Sequence, residues 1–331
     1  MPRVNVIIPN YNGIKYLDDC LKSLMRQTFS DFDITVVDNA SDDGSCERLK
    51  ERWLGTRDMV KLIELSENTG FANAVNVGIR ASGENKETAC EYVFLLNNDA
   101  FCDENALKSL VRVMDHKRKL FSAQGKMLQA KEPYKIDDCG DLYCALGWAF
   151  TPGKDADNRH FSAREPVTSA CAGAAIYRRE YFEKVGLFDE NHFCYLEDVD
   201  IGYRARLKGY ANIMEPSAIV YHVGSASSGS RYNEFKVELT AGNNIYLIYK
   251  NMPAVQILFN LPLILAGIVI KHVFYLRQGL GMAHVKGLLA GIKKILRGSD
   301  KKVSFGWTEV LNAIRLQFEL WINCVRRLLA V

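Results

Sequence analysis

The sequence lacks the cysteine and histidine spacings of a structural zinc site. It contains no C-x-x-C pair, and its six histidines are scattered over 331 residues. Because zinc fingers need closely spaced pairs of these ligands, a zinc-finger protein is disfavoured. The nine cysteines are an odd number, and the chain starts with a strand-like segment instead of a signal peptide. We therefore expect a reduced protein in the cytoplasm.

The sequence also lacks internal repeats, low-complexity runs and a G-x-G-x-x-G motif after its first apolar run. The missing glycine motif disfavours a dinucleotide-dependent oxidoreductase. Apolar residues make up 48% of the chain and charged residues 24%. These fractions are typical of globular proteins and exclude disorder or a coiled coil as a description of the whole chain.

Negative charge is scarce at the carboxyl-terminal end of the chain, so the net positive charge lies there. Residues 253–331 contain eleven Lys and Arg against three Asp and Glu, a formal charge of +8. Because the whole chain carries +3, residues 1–252 carry −5. Apolar residues, including Phe305 and Trp307, interleave with the basic ones. The pattern predicts contact with an anionic membrane surface and no nucleic acid partner, with a solvated basic face as the alternative.

A long uncharged stretch begins the same region. Residues 251–270 are twenty residues without a formal charge, just enough for a helix to cross a bilayer core of about 30 Å. Two prolines and two polar residues interrupt the stretch at Pro253, Gln256, Asn260 and Pro262. We expect a helix that lies in the membrane interface or re-enters it, while a membrane span and a soluble packing helix stay open.

The first hundred residues alternate short apolar runs with helical periods. The apolar runs occupy 4–8, 34–37, 61–65 and 92–96, and apolar residues three and four apart lie between them. This alternation predicts an α/β fold with a parallel sheet and right-handed crossovers. Ligands of such sheets bind at the carboxyl ends of the strands, so the residues that follow each strand are candidates for a site.

Polar, turn-forming motifs follow all four predicted strands. They are P-N-Y-N-G at 9–13, D-N-A-S-D-D-G at 38–44, N-T-G at 68–70 and N-N-D at 97–99. A turn explains any one of these motifs equally well. Four of them at one edge of a sheet predict a binding site there, and the irregular segment 128–166 predicts a flap beside it.

Ionisable residues further along the chain are candidates for chemistry at this edge. Asp99, the only charged residue of N-N-D, could bridge a divalent cation to phosphate oxygens. Glu197, Asp198 and Asp200 follow apolar and aromatic residues, so one of them could be a sheltered general base, although helix capping explains one of the three. His222 closes the last predicted strand and is either a core histidine or a metal ligand near Asp99.

The order of the motifs resembles that of the family 2 glycosyltransferases. The matching segments are V-N-V-I-I-P-N-Y-N-G at 4–13, V-V-D-N-A-S-D-D-G-S at 36–45, E-N-T-G-F-A-N-A-V-N-V-G-I at 67–79, L-L-N-N-D-A at 95–100 and Y-L-E-D-V-D at 195–200. The resemblance covers roughly residues 3–225. N-N-D in place of D-x-D, together with S-A-C-A-G-A-A-I-Y-R-R at 169–179, is similar to the bacterial rhamnosyltransferase-like branch, which builds O-antigens and cell-wall linkers.

The resemblance implies a GT-A fold, a Rossmann-like and mostly parallel sheet flanked by helices. It implies transfer of a sugar such as rhamnose from a dTDP- or UDP-linked donor, with inversion at the anomeric carbon and a divalent metal, Mg²⁺ or Mn²⁺. The acceptor would be a saccharide or a polyprenyl-lipid-linked sugar in polysaccharide synthesis for the cell envelope. The enzyme would then work at the inner face of the cell membrane.

By motif position, the resemblance also assigns roles to single residues. Those that would hold the nucleotide sugar are Pro9, Tyr11, Asp38, Asn68, Gly70, Asn98 and Asp99. Asp99 and His222 would bind the metal, and Asp198 would be the catalytic base. Glu197 and Asp200 would support the base or the acceptor.

Asn97 stands where family members have the first acidic residue of D-x-D, which puts the strength of metal binding in question. A catalytically weak or inactive scaffold that binds nucleotide sugars is therefore the alternative function. We expect residues 1–225 to form the transferase domain and residues 226–331 to form a helical, basic and apolar region that associates with membranes. A homo-oligomer stays open.

Overall fold

The computed structural model describes residues 2–55, 59–83, 89–224, 232–297 and 301–329. In chain order, its strands are β1 (Val4–Asn10), β2 (Phe32–Asp38), β3 (Val60–Glu64), β4 (Tyr92–Leu96), β5 (Ala100–Cys102), β6 (Leu120–Gln129), β7 (Ile136–Asp138), β8 (Leu142–Cys144), β9 (Trp148–Phe150), β10 (Glu165–Val167), β11 (Ala174–Arg178) and β12 (Ala211–His222). Its α-helices are α1 (Leu17–Met25), α2 (Ser45–Arg52), α3 (Phe71–Ala81), α4 (Ala106–His116), α5 (Phe182–Val185), α6 (Glu197–Leu207), α7 (Glu234–Asn251), α8 (Ala254–Arg277), α9 (Gly281–Arg297) and α10 (Trp307–Leu329).

One mixed sheet organises the first two thirds of the chain, with its main strands in the order β10-β12-β6-β11-β4-β1-β2-β3. The four predicted strands correspond to β1–β4, and they run parallel as expected. Strand β11 is antiparallel to both β4 and β6, whereas β12 is parallel to β6. Short strands β5 and β7 pair with β12 and β6. The expected sheet of parallel strands flanked by helices is therefore confirmed as a mixed sheet, in which β5, β7, β10 and β11 run antiparallel to their neighbours.

Apolar side chains cover both faces of this sheet. Val4, Val6 and Ile8 of β1 are fully buried in the cluster that contains α1 and α4 residues. Ile7 packs in the opposite cluster, with residues of α3 and α6. Successive side chains of a strand point to opposite faces, so the continuous apolar run in β1 is explained by cover on both sides.

The prediction of an irregular flap needs correction. The segment 128–166 contains short strands, β7–β10, and β8 pairs with β9 in a separate two-stranded sheet. Beyond the predicted strands, α4 begins at Ala106 with Asn105 in the N-cap position. Strand β12 is continuous, with a register shift between Glu215 and Ile219.

The carboxyl-terminal helices share a core with the sheet domain. Tyr143 of β8 and Tyr203 of α6 are fully buried together with Leu247 of α7 and Leu316 of α10. The boundary expected between residues 225 and 226 lies outside the described residues. The uncharged stretch forms most of α8, a helix of 24 residues that is long and apolar enough to cross a membrane by length and composition.

Candidate active site

A cleft of about 600 Å³ opens at the carboxyl ends of the central strands, and we call it the donor cleft. It brings together seven of the residues that the sequence predicts for a site. These residues are Pro9, Tyr11, Asn68, Gly70, Asn98, Asp99 and His222. The parallel arrangement of β1 and β4 places the turns after both strands at the same edge.

Asp99 and His222 meet because β5 pairs with the end of β12. In that antiparallel pairing Ala100 lies opposite His222, and Val223 N donates a hydrogen bond to Asp99 O at 3.1 Å. The His222 Nε2 atom lies 3.2 Å from Asp99 Oδ1. The two predicted metal ligands are therefore neighbours on elements far apart in the sequence.

A second carboxylate holds the other side of the His222 ring. His222 Nδ1 lies 2.7 Å from Asp137 Oδ2, and Asp137 Oδ1 lies 3.1 Å from Lys154 Nζ. Asn97 Nδ2 also lies 3.3 Å from His222 Nε2. Asp137 thus fixes the orientation in which Nε2 faces Asp99, the usual arrangement around a metal-binding histidine.

The charges of this group depend on one another. Burial alone would lower the pKa of His222, but its hydrogen bonds with Asp137 and Asp99 raise that pKa to about 10. Burial likewise opposes ionisation of Asp137, yet His222 and Lys154 lower its pKa to about 2. Without a metal, His222 is therefore an imidazolium between two carboxylates, and a metal ion would have to displace its Nε2 proton.

The donor set fits a divalent cation that completes its shell with substrate oxygens. In the described part of the chain, no group of three or more His, Cys, Asp or Glu side chains could hold a metal ion. Asp99 and His222 supply one carboxylate and one imidazole at a suitable separation. Mg²⁺ commonly binds through one or two carboxylates together with substrate phosphates, so Asp99 could hold such a cation at a diphosphate, and His222 would add an imidazole ligand.

A network of asparagines shapes the opposite wall of the donor cleft. Asn39 Nδ2 donates to Asn68 Oδ1 at 2.9 Å, and Asn39 Oδ1 accepts from Thr69 N at 2.9 Å. Gly70 has a φ of +86°, and a Cβ atom there would lie 2.5 Å from Phe193. Glycine is therefore required at Gly70 both for its backbone conformation and for the close approach of Phe193.

Asp38, expected at the nucleoside, lies beneath the wall and is outside the set of described residues that line the donor cleft. Its carboxylate accepts hydrogen bonds from Asn10 Nδ2 at 2.8 Å and from Ser41 Oγ at 2.7 Å. Asn98 Nδ2 in turn donates to Asn10 Oδ1 at 2.8 Å. Asp38 thus ties the β2 turn to the turns after β1 and β4, and its direct contact with a nucleoside stays a prediction.

A strained turn leads into α6 and its acidic first turn. Phe193, Tyr195 and Leu196 all have positive φ angles, of 59°, 70° and 66°. Asn243 of α7 donates from its Nδ2 to the backbone oxygens of His192, Cys194 and Tyr195, at 2.9, 2.8 and 2.7 Å. Positive φ is unfavourable for residues other than glycine, so these hydrogen bonds help to hold the conformation.

Asp198 lies behind the floor of the donor cleft. It is partly exposed, and its Oδ2 is 3.4 Å from Ala172 N, next to the cleft residue Cys171. Burial raises the pKa of Asp198 to about 6 against the hydrogen bond from Val199 N, and the nearby Asp138 carboxylate adds to the shift. A carboxylate with such a pKa suits a general base. Among the described residues, Asp198 does not itself line the cleft.

The two other acidic residues of α6 differ from Asp198. Asp200 is fully buried, and its carboxylate contacts Arg204 at 2.6 Å and Lys250 at 2.9 Å. These contacts join α6 to α7, and Asp200 lies outside the lining of the cleft that the described residues form, so its supporting role toward the base or the acceptor stays a prediction. Glu197 is also buried, and burial and Asp198 raise its pKa well above the usual range.

Sequence reasoning missed the acidic pair Asp137 and Asp138 and the basic residues Lys154 and Lys236, all of which line the donor cleft. The first three lie in the segment 128–166, which was predicted as a flap without individual residues. Asp138 accepts hydrogen bonds from Gln124 Nε2 at 2.7 Å and from Gly140 N at 2.8 Å. The signal that could have found the pair is D-D-C-G at 137–140, an acidic turn motif inside the flap.

Relatives of known name share much of the chain. The mycobacterial N-acetylglucosaminyl-diphospho-decaprenol L-rhamnosyltransferase from Mycobacterium tuberculosis is 27% identical over 241 residues, which cover 68% of this chain and 77% of the relative. The low-salt glycan biosynthesis hexosyltransferase Agl10 of Haloferax volcanii is 24% identical, over 73% of this chain and 76% of the relative.

Solved structures confirm the GT-A fold. GalNAc-T7 with UDP, GalNAc and Mn²⁺ superposes with a TM-score of 0.63 at 16% identity, over 93% of this chain and 56% of that one. The mannosyltransferase PcManGT from Pyrobaculum calidifontis, in complex with GDP-Man and Mn²⁺, has a TM-score of 0.55 at 18% identity, over 89% and 87%. The model of glycosyl transferase family 2 matches residues 5–186, more than half of the chain, and the chain therefore belongs to that family.

Proposed function

We propose that the protein is an inverting glycosyltransferase that moves a sugar from a dTDP- or UDP-linked donor to an acceptor hydroxyl. The observation that carries the proposal is the contact between Asp99 and His222 at 3.2 Å in the donor cleft. A nucleoside diphosphate is a leaving group whose developing negative charge needs a cation. GalNAc-T7 was solved with UDP, GalNAc and Mn²⁺ and PcManGT with GDP-Man and Mn²⁺, and these two structures of similar fold support the use of a nucleotide sugar and a divalent cation.

The residues of the cleft would have separate roles in one displacement reaction at the anomeric carbon. Asn68 and Gly70 border the nucleotide, with Pro9 and Tyr11 at the nucleoside. Asp99 and His222 would hold Mg²⁺ or Mn²⁺, which supplies Lewis-acid stabilisation of the diphosphate when bound. These six residues all line the donor cleft, which is consistent with the proposed roles.

Asp198 is the proposed general base. Its carboxylate, with a pKa of about 6, is ionised at neutral pH and takes the proton from the attacking acceptor hydroxyl. Attack from the side opposite the diphosphate breaks the bond to the leaving group in the same step, so the anomeric centre inverts. General-base catalysis of this kind contributes about 10²–10⁴ in rate.

The acceptor class comes from the mycobacterial relative. Its name describes transfer of L-rhamnose to N-acetylglucosaminyl-diphospho-decaprenol, a sugar joined through diphosphate to a polyprenyl lipid. We propose that this chain likewise uses a saccharide on a polyprenyl-linked carrier, with rhamnose as the first sugar to test. Such an acceptor stays in the membrane, so the enzyme has to work at the membrane surface.

The polarity of α8 supports membrane contact. Its buried side is formed by Gln256, Asn260, Ile264 and Gly267, whereas Leu258 and other large apolar residues are exposed. The amides are satisfied from the inside, because Asn260 and Gln317 of α10 exchange hydrogen bonds at 2.7 and 2.9 Å. A helix with polar groups inside and apolar groups outside is typical of a lipid environment. Only 17% of the most apolar 18-residue segment of α8 is buried.

The neighbouring helices repeat this inverted pattern. In α10, Asn312 and Asn323 are buried and donate to backbone oxygens of Leu207 and Tyr143, while Phe318 is 58% exposed. In α9, glycines at 287 and 291 pack against the α7 backbone, whereas Leu296 is 76% exposed. Since α8 contacts α10 along its buried side, we propose that the helices lie in the interface, with the basic residues of 253–331 toward anionic headgroups.

A transfer assay tests the proposed activity. Full-length protein is incubated with dTDP-rhamnose, UDP-glucose or UDP-N-acetylglucosamine, a polyprenyl diphosphate-linked N-acetylglucosamine and Mn²⁺, and the anomer of the product is determined by NMR. We expect an inverted product that is lost with EDTA. Nucleotide-sugar binding without transfer or hydrolysis would favour the alternative of an inactive scaffold, and a retained anomeric configuration would contradict inversion.

The membrane proposal has its own assay. We expect the protein to sediment with phosphatidylglycerol vesicles in low salt, and the triple variant Leu258→Gln, Leu296→Gln, Phe318→Gln to lose most of this binding. Tyr134→Gln, at a residue that is 56% exposed in the flap, is the matched control. If the wild-type protein does not bind the vesicles, the membrane proposal is wrong. If light scattering shows dimers that the triple variant abolishes, these faces instead belong to a homo-oligomer interface.

A further inference from the structure

A second cavity of about 520 Å³ adjoins the donor cleft. Five residues, Asp137, Lys154, Tyr195, Gly224 and Lys236, line both of them. The second cavity extends away from the donor cleft to Tyr275 of α8. It therefore connects the site of sugar transfer with the helix that has the apolar outer face.

Three lysines, Lys131, Lys154 and Lys236, line the second cavity. Acidic residues also line the cavity. Asp137 pairs with His222 at 2.7 Å and with Lys154 at 3.1 Å. Glu132 pairs with Lys135 at 2.8 Å, and Asp155 accepts a hydrogen bond from Gln129 Nε2 at 2.7 Å. Lys131 is outside the ion pairs formed by the described residues and is exposed. The cavity thus offers the Lys131 ammonium group, in the same lining as Lys154 and Lys236, to an anionic ligand.

The electrostatic environment of Lys236 points the same way. Burial lowers the pKa of Lys236, and the positive charge of Lys154 lowers it further, against the effect of Cys194. Lys236 also lies in the first turn of α7, whose amino-terminal end carries partial positive charge. Two ammonium groups that repel each other beside a helix amino terminus would both be stabilised by an anion between them.

An aromatic wall leads from the cavity to the surface of α8. The Tyr232 ring lies 5.5 Å from the Phe274 ring and 6.3 Å from the Tyr275 ring, measured between centroids. Beyond these rings, Val269 and Val273 are exposed on α8. The polar end of the cavity and the apolar face of α8 are therefore joined by a surface that suits an amphiphilic ligand.

We propose that the second cavity binds the diphosphate of a polyprenyl diphosphate-linked acceptor, with the lipid chain along the aromatic wall and α8. This inference rests on the proposed function, because it assumes that the acceptor is lipid-linked. The saccharide on the diphosphate then extends past the five shared residues into the donor cleft. The cavity selects acceptors by their diphosphate and their lipid, independently of the sugar that is transferred.

Binding of farnesyl diphosphate to the full-length protein tests the inference. We expect Lys131→Glu to raise the Kd for farnesyl diphosphate by at least about tenfold, since it replaces an attractive charge with a repulsive one. Binding of UDP with Mn²⁺ should change by less than about twofold, because Lys131 lies outside the described lining of the donor cleft. Lys108→Glu, on the exposed surface of α4, is the matched control.

Two comparisons distinguish the sources of a diphosphate. Tyr275→Leu should weaken binding of farnesyl diphosphate more than that of inorganic pyrophosphate, because only the former reaches the aromatic wall. Equal effects on both would assign the cavity to a free phosphate, and full displacement of farnesyl diphosphate by UDP would place the ligand in the donor cleft. Either result overturns the proposal.

Activity separates this inference from the proposed function. If the lysine variant raises KM for the lipid-linked acceptor but not for the donor, both stand. If transfer to that acceptor occurs and its KM is unchanged in Lys131→Glu, the cavity assignment fails while the function survives. If no transfer occurs but farnesyl diphosphate binding follows the variants, the proposed function fails alone.

Discussion

Two carboxylates in the first turn of α6 have opposite environments. Asp200 is fully buried against Lys250 and Arg204, and these cations hold its pKa well below the usual range although burial acts against them. Asp198 is partly exposed and lies next to Asp138, and burial raises its pKa to about 6. The difference separates a carboxylate that stabilises the fold from one whose ionised form is destabilised at a site.

Removing the proposed base should have the largest effect. We expect Asp198→Asn to lower kcat by about 10²–10⁴, because the amide cannot accept the acceptor proton. Donor affinity should stay within a few fold, since the base acts on the acceptor. Single-turnover transfer and donor titrations measure the two quantities. Asp138→Asn is the matched comparison. If Asp198→Asn keeps more than a tenth of wild-type activity while Asp138→Asn loses its activity, Asp138 and not Asp198 would be the base.

The buried partner should dominate stability instead. We expect Asp200→Ala to lower the free energy of unfolding by about 3–5 kcal/mol, because it leaves Arg204 buried without its carboxylate and Lys250 with Asp189 alone. Urea unfolding of full-length protein measures the change. Asp19→Ala, in the exposed ion pair with Lys22, should cost no more than about 0.5 kcal/mol. Equal losses in both variants would mean that the buried Asp200 stabilises the fold no more than an exposed ion pair does.

The pH dependence of turnover should follow Asp198. Because a base works only when deprotonated, kcat should fall about tenfold for each pH unit below about 6. Stability should behave differently. The folded-state pKa of Asp200 is lowered, so its contribution is present above the unfolded value of about 3.9 and is lost as the pH falls further. A pH–rate profile and acid unfolding curves that coincide would contradict this separation.

The smallest expected effect is on the stability of the base variant. Asp198 has a folded-state pKa above its unfolded value of about 3.9. Its ionisation therefore opposes folding increasingly as the pH rises above about 3.9, and fully above about pH 6. We expect Asp198→Asn to raise the free energy of unfolding at pH 7.5 by about 0.5–2 kcal/mol, as is common when active-site strain is removed. The gain should shrink as the pH falls and vanish near about pH 3, below both pKa values. A variant that is destabilised at both pH values would mean that Asp198 is a structural residue.

The sequence was sufficient for the sheet edge and most of the donor cleft. Apolar runs in strands that are buried on both faces, and the polar turns that follow them, are local sequence patterns. Pro9, Asn68 and Asp99 could therefore be assigned to the donor cleft without a structure. The partners of Asp200 and His222 could not be predicted in this way. Lys250 is 50 residues from Asp200, and Asp137 is 85 residues from His222. Only the fold decides which side of a helix or ring meets these distant groups.

The hydrogen bonds from Asn243 to the turn before α6 have a consequence for the order in which the protein folds during its synthesis. Ribosomes make the carboxyl-terminal helices last. Asn243, and Lys294 whose Nζ donates to Asn243 Oδ1, are therefore translated after the whole sheet domain. The three hydrogen bonds to the turn before the proposed base can form only after these residues have been made. We expect a nascent chain to form the donor cleft early and to order this turn only when α7 and α9 are complete.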